Sequence, residues 1–373
     1  MDLTFPLFVG DLDLSSNSLE KYLVLSKHDN FLFKMFAPTK SIPNAYFFYP
    51  IFYPTIEDIY TNISIEVQAC VHSGLCKILI ISQLEGFKWS YYENLADSIR
   101  SCYGFKDDAF VILSNNTIPS ARYKSISFNY WEYFSVSENV LKDKKIGKDS
   151  IFINNSRPYK FVCLNNRPHA HRLAVFTKLF PHKDIGILTL RETTDLNEFE
   201  KSYPNCYKSW SDLNLENQVP KLLPTELKLD WLELTWNNNS SMFYDSYLHV
   251  VTETWINNIF FSEKTFKPIR YFQPFVLVNG VGSLKKLKEL GYKTFSDYID
   301  ESYDDIEDNE LRVSCAIESA IKFILRDDLN NVLKEMWPIL EHNYNHLIER
   351  SKKIKPMLYK DISNSLHKNK GNI

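Results

Sequence analysis

The sequence contains no apolar run long enough to cross a bilayer, which takes roughly 18–20 residues, so no transmembrane helix is expected. Its start, MDLTFPLFVGDLDLSS, has acidic residues and no basic n-region, which argues against a secretory signal. Cysteine is sparse. Cys70, Cys76, Cys102, Cys163, Cys206 and Cys315 are scattered and form no CxxC pair. Free thiols in a reducing compartment follow, which points to the cytoplasm of a bacterium or of a virus-infected cell. A surplus of one charge is also missing: the formal net charge is −3, so nucleic-acid binding would need a local basic patch. Glycine numbers only 10 against 22 Tyr and 26 Phe, a bias that coding composition produces as readily as function.

What is present describes a globular protein. The 373 residues suit two domains of ordinary size, and 44% hydrophobic with 24% charged residues supplies an ample core. The most informative stretch runs from Tyr247 to Gly282. Leu248, Val250 and Val251 lead into Thr252-Glu253-Thr254, as at the end of a short strand. Ser262-Glu263-Lys264-Thr265 has the pattern of a helix start, with serine as the cap. Phe275–Val278 is a buried-type strand that stops at Asn279-Gly280-Val281-Gly282. Strand, helix start and strand predict a βαβ unit with a polar crevice at the carboxyl ends of its strands, where open α/β sheets take ligands.

That crevice suits a diphosphate and a ribose. A helix N-terminus offers free N–H groups and partial positive charge, with Lys264 and Lys267 beside it. The Glu263 carboxylate can accept from two vicinal hydroxyls, and Gly280 and Gly282 would let backbone approach a ligand. The same residues equally describe a capped amphipathic helix with a solvated Glu–Lys pair.

The stretch resembles the donor-nucleotide half of fucosyltransferase-like glycosyltransferases of the GT-B fold, a group with members in bacteria, phages and large viruses. The matching residues are Val251–Thr254, Phe261–Pro268, Pro274-Phe275 and Gly280–Ser283, with a second match at Phe161–Arg172, FVCLNNRPHAHR. The likeness covers roughly 155–345 and does not reach the first 150 residues. It implies an α/β protein with two Rossmann-like domains facing a central cleft. Domain limits of 1–150 for the acceptor side, 151–345 for the nucleotide-sugar side and 346–373 for a closing helix end and polar tail are expected. It further implies donor contacts from Asn165, Arg167, Arg172, Thr252, Glu253, Ser262, Glu263, Lys264, Thr265, Lys267, Gly280 and Gly282. In such enzymes Tyr244-Asp245-Ser246 often faces the donor sugar or base. The donor would be a GDP- or UDP-linked sugar, no further cofactor or metal being required. The acceptor would be a hydroxyl of a glycan, a protein or a modified nucleotide.

In the first half, Lys77–Ile81 and Ala109–Leu113 read as buried strands around a helix near 91–103 whose face carries Leu95, Ile99 and Cys102. Residues 1–65 read as loops and short strands punctuated by Pro38, Pro43, Pro50 and Pro54. Glu85 follows the first of these strands beside a glycine; it could act as general base for an inverting transfer, or be a solvated loop carboxylate. Asp11-Leu12-Asp13 is a literal DxD, which reads as a turn or cap more readily than as a metal motif. His169 and His171 lack the carboxylates or thiols that a metal site would add. Lys142–Asp149 reads as a charged linker. Asp184–Thr189 reads as another strand, residues 205–235 show no clear pattern, and the acidic run reaching Glu310 reads as solvated. Two rival functions use the same residues. One is a non-catalytic nucleotide-binding module. The other transfers sugar to a modified base in phage DNA, for which Arg100, Arg122, Lys124 and Lys142–Lys148 are the candidate contacts.

Overall fold

A computed structural model describes residues 4–9, 35–52, 63–82, 88–116, 119–136, 156–165, 167–190, 196–217 and 241–366. The chain divides into two compact units, Met1–Asn139 with Arg350–Ile373, and Val140–Glu349.

The first unit is built on six parallel strands: β1 (Phe5–Phe8), β2 (Phe36–Thr39), β3 (Phe47–Phe52), β4 (Cys76–Ser82), β5 (Phe110–Ser114) and β6 (Lys124–Ser127). Their order is β2-β1-β3-β4-β5-β6. Every residue of β4 is buried, as a strand covered on both faces requires. Helix α1 (Ile65–Ser73) starts where the Ser64 hydroxyl accepts from the Val67 N–H, and stops at Gly74, whose φ of 77° is left-handed. Helix α2 (Trp89–Tyr103) buries Tyr92, Leu95, Ala96 and Ile99, one stripe at helical spacing. The three aromatic strands before residue 53 put more sheet into this unit than the visible pattern, which starts near residue 77. Short length and the prolines hide them, and Pro50 itself stands inside β3.

The second unit has four parallel strands, β7 (Tyr159–Asn165), β8 (Gly186–Leu190), β9 (Ser246–Thr252) and β10 (Phe275–Val278), in the order β10-β9-β7-β8. After the five-residue α3 (Tyr130–Phe134) of the first unit, the helices continue as α4 (Ala170–Leu179), α5 (Asn197–Ser202), α6 (Pro204–Asp212), α7 (Ser241–Tyr244), α8 (Glu263–Arg270), α9 (Ser283–Glu289), α10 (Asn309–Ile324) and α11 (Leu329–Leu366). Helix α11 runs through the unit boundary at Arg350. Within the first unit, the Arg350 guanidinium meets the fully buried Glu132 carboxylate through Nε and, at 3.1 Å, through a terminal amino group.

Both sheets follow one winding rule. The first strand takes the second on one side and the third on the other, so direction reverses between β1 and β3, and again between β7 and β9. That reversal separates the loops leaving two neighbouring strands and opens a crevice at their carboxyl ends.

Three local expectations change. Residues 204–212 are helical, because Trp210 seals a core with Phe176 and Phe199 at ring distances of 6.1 and 5.8 Å. Strand β8 begins at Gly186 rather than Asp184; a Cβ on Gly186 would lie 2.2 Å from the Phe161 ring. The acidic run is built in rather than simply solvated. Asp304 accepts from the Leu284 and Lys285 N–H groups at the start of α9 (2.9 and 3.0 Å), and Asp308 accepts from Leu311 N–H at the start of α10 (2.8 Å).

Candidate functional site

The second unit's reversal point is assembled by hydrogen bonds between the ends of β7 and β9. Asn165 closes β7, and its Oδ1 accepts from the Thr252 hydroxyl at 2.5 Å. Arg172, in the first turn of α4 and only 3% exposed, donates to the Thr252 carbonyl at 3.2 Å and the Arg167 carbonyl at 3.3 Å. Its guanidinium therefore staples the loop after β7 to the last residue of β9.

Glu253, the next residue, is fully buried. Its carboxylate accepts from the Ser262 N–H (2.9 Å), the Ser262 hydroxyl (2.6 Å) and the Thr265 hydroxyl (2.6 Å). The anion under the first turn of α8 is thus the protein's own. Ser262 caps that helix, its Oγ accepting from the Lys264 N–H at 3.2 Å. These partners explain the spacing Glu253…Ser262…Thr265: one buried carboxylate fixes where the helix begins. Asn165, Thr252, Glu253, Ser262 and Thr265 accordingly form the floor of the crevice, all below one-tenth exposure.

Charged groups stand above that floor. Lys264 Nζ lies 3.0 Å from the Glu263 carboxylate and 3.0 Å from Ser262 Oγ. Burial opposes ionisation of Glu263, but Lys264 and Lys267 outweigh it and hold the carboxyl below its ordinary range. Burial pushes the Lys267 ammonium down to about 8, with Glu263 pulling the other way. His169, which caps α4, is pushed down to about 4 by burial and then by Arg172, Arg167 and Lys264. Three cations from three segments therefore act on one imidazole. Arg167, exposed on the loop after β7, and Lys264, on the helix after β9, both act on that ring electrostatically.

The two glycines have internal reasons. A Cβ on Gly280 would lie 2.5 Å from the Asn258 carbonyl oxygen, so the end of β10 packs directly on the loop before α8. Asn279 Nδ2 donates to the Phe260 carbonyl across the same contact (2.8 Å). Gly282 has φ 76° and donates to the Asp304 carbonyl (2.8 Å). Tyr244 lies away from the crevice, contrary to expectation. It precedes β9 and packs on Tyr271, beyond the far end of α8, at the amino end of the strand and away from the crevice.

Glu85, Asp11, Asp13, Asn166 and Lys142–Lys148 fall outside the described residues. Among the described residues, no group of three or more His, Cys, Asp or Glu side chains is arranged to hold a metal ion. Three residues of the site escape a local reading. His171 Nε2 bonds the Glu253 carbonyl (2.8 Å), and Trp255 sits against His169 at 6.4 Å. Arg312 donates to the carbonyls of Asn279 (3.1 Å) and Ile256 (3.0 Å), fixing both loops that flank the crevice. The HAHR pattern hinted at His171; nothing near Arg312 in the sequence announced it.

Several solved structures are similar to this chain at low identity. An α1,3-fucosyltransferase shares 9% identity with a TM-score of 0.44, over 98% of this chain and 91% of that one. The N-terminal domain of a Candida albicans trehalose-6-phosphate phosphatase shares 10% with a TM-score of 0.45, over 88% and 71%. A UDP-forming α,α-trehalose-phosphate synthase from Burkholderia vietnamiensis shares 12% with a TM-score of 0.40, over 87% and 73%. No protein-family model matches the sequence, and no curated protein matches it. Likenesses of this degree assign no family and no activity. The strand topology by itself defines the class: an α/β protein with two parallel, Rossmann-like units.

Proposed function

We propose that the protein is a GT-B glycosyltransferase that moves a sugar from a nucleotide diphosphate to an acceptor hydroxyl. The observation that carries this reading is the junction at the switch point between β7 and β9, where Arg172 bonds the Arg167 and Thr252 carbonyls and Lys264 bonds Ser262, which is itself held by Glu253. Guanidinium and ammonium groups at that point suit a diphosphate, and they would stabilise the charge that grows on it as the sugar leaves. Such neutralisation needs no metal. Glu263, beside Lys264 and Lys267, is the carboxylate available for ribose hydroxyls, while Glu253 supports the helix start from below. Glu85 is retained as the general base of an inverting transfer. GDP- and UDP-linked sugars are the donor classes to test.

Transfer to DNA has less in its favour. Arg122 forms a two-point pair with Asp97 (2.5 and 2.7 Å), and Arg100 is shared between Asp97 and Asp107 at 3.3 and 3.2 Å. Those arginines are charge-balanced locally and offer no surplus to a phosphate backbone.

The test is nucleotide binding and turnover. GDP and UDP titrated by calorimetry should bind, and Glu263→Ala and Lys264→Ala should each weaken binding at least about tenfold while the far-ultraviolet dichroism stays unchanged. Unaltered affinity in both variants refutes the site. Release of nucleotide diphosphate from a panel of nucleotide sugars separates enzyme from binding module, since a module binds without release.

A further inference from the structure

We infer that His169 contacts the ligand directly, its Nε2–H joining the Nε–H of Arg172 in holding a phosphate oxygen. The inference rests on the diphosphate reading above and adds a residue to it.

Two side-chain nitrogens of the cluster, His169 Nε2 and Arg172 Nε, are buried and have no hydrogen-bond partner among the described residues. Buried polar atoms are nearly always paired, so each of these orphans, three residues apart at one helix start, calls for an acceptor. Both residues sit at the start of α4, with the Arg172 N–H bonded to the His169 carbonyl at 2.8 Å. Arginine Nε can only donate. The amino groups of Arg172 already serve the carbonyls of Arg167 and Thr252, which leaves Nε as the group without an acceptor.

Among the described residues, neither carboxylate beside these nitrogens is free to supply that acceptor. The Glu253 oxygens are committed to Ser262 and Thr265, and Glu263 is paired with Lys264. The other groups acting on His169 are Arg167, Arg172 and Lys264, all cationic, and the adjacent His171 ring bonds the Glu253 carbonyl through Nε2. Cationic surroundings of this kind favour an anionic acceptor, such as a phosphate oxygen of the ligand.

Packing fixes the imidazole for this task. Its ring stacks on His171 at 5.8 Å with planes 7° apart, and Trp255 lies on it at 6.4 Å. Its side chain makes no capping bond to α4, although the residue occupies the cap position. Burial and the surrounding cations keep the ring neutral near pH 7. A neutral ring still has one N–H to give, and it adds direction to a site whose other groups supply charge.

The experiment titrates inorganic pyrophosphate into the full-length protein and into His169→Leu and His169→Gln. The parent should bind. His169→Leu should bind at least about tenfold more weakly, as expected when a hydrogen bond to a charged group is lost. His169→Gln restores an N–H donor and should recover to within about threefold of the parent. Equal affinity in His169→Leu overturns the inference, as does equal loss in both variants, which would indicate a packing role. A parent that does not bind pyrophosphate overturns the diphosphate reading itself. Independently of any variant, the Nε2 nitrogen resonance of His169 in the parent should shift when pyrophosphate is added; an unmoved resonance at saturation overturns the inference.

Discussion

Replacing Glu253 by alanine tests the architecture of the crevice most directly. The carboxylate is fully buried and takes three donors, from Ser262 N, Ser262 Oγ and Thr265 Oγ1. A hydrogen bond to a charged group contributes about 1.5–3 kcal/mol, and a buried donor left without a partner costs about 1–3 kcal/mol. The losses differ among the three. The Thr265 hydroxyl can turn back to a carbonyl of the preceding turn, as helical threonines do. The Ser262 hydroxyl still has Lys264 Nζ at 3.0 Å. Only the Ser262 N–H is fixed by the backbone and has nowhere to go. Removing a buried carboxylate also relieves its desolvation, which offsets part of the loss. The net expectation is about 3–5 kcal/mol of destabilisation, confined to the second unit. Urea unfolding should be followed with a probe in each unit, since two units need not unfold together. The first unit's transition should stay in place while the second moves to lower urea. Glu253→Gln keeps one acceptor oxygen but turns an amide N–H₂ toward a donor, so it should fall between parent and alanine. A loss below about 0.5 kcal/mol for Glu253→Ala, the size of an ordinary surface change, would refute the view that this carboxylate sets the start of α8.

Further predictions follow from single contacts. Gly280→Ala drives a methyl toward the Asn258 carbonyl, 2.5 Å from the ideal Cβ, so the loop before α8 must move. The cost should be about 1–3 kcal/mol with weaker nucleotide binding, read by thermal melting and calorimetry. His249 is buried between β9 neighbours, and desolvation first, then Lys267, pushes it down to about 3. The unfolded chain takes up that proton near pH 6.5, so the contribution is fully present above that pH and declines as pH falls toward 3. It amounts to about 5 kcal/mol at most, and His249→Phe should flatten this part of the stability profile. Arg122→Ala breaks an exposed pair with Asp97 and should cost less than about 1 kcal/mol, with no effect on nucleotide binding.

How much of this was legible in the sequence depends on the range of the interaction. Local order carried the elements around the crevice. An apolar run with β-branched residues makes β9, serine followed by acidic and basic residues makes the start of α8, and the strand Phe275–Val278 is bounded as read. The HAHR segment lands in α4 directly after β7, so the order of the motifs along the chain already predicted which loops would meet. The aromatic strands of the first sheet were less visible. They are short and carry prolines, and their burial comes from neighbours remote in sequence.

The sequence alone determined which residues are charged and where β9, α8 and β10 lie, because each of these is set within a few residues of chain. Tertiary structure decided the role of each charge. Glu253 and Glu263 look alike in the sequence, ten residues apart beside polar neighbours. One is enclosed by Ser262 and Thr265 because β9 ends beneath the helix start; the other stands above it beside Lys264. Tyr244 looked close to the crevice, yet a strand separates it from that end of the sheet. Burial and pairing depend on what arrives from distant segments, and that is fixed only when β7 and β9 lie side by side.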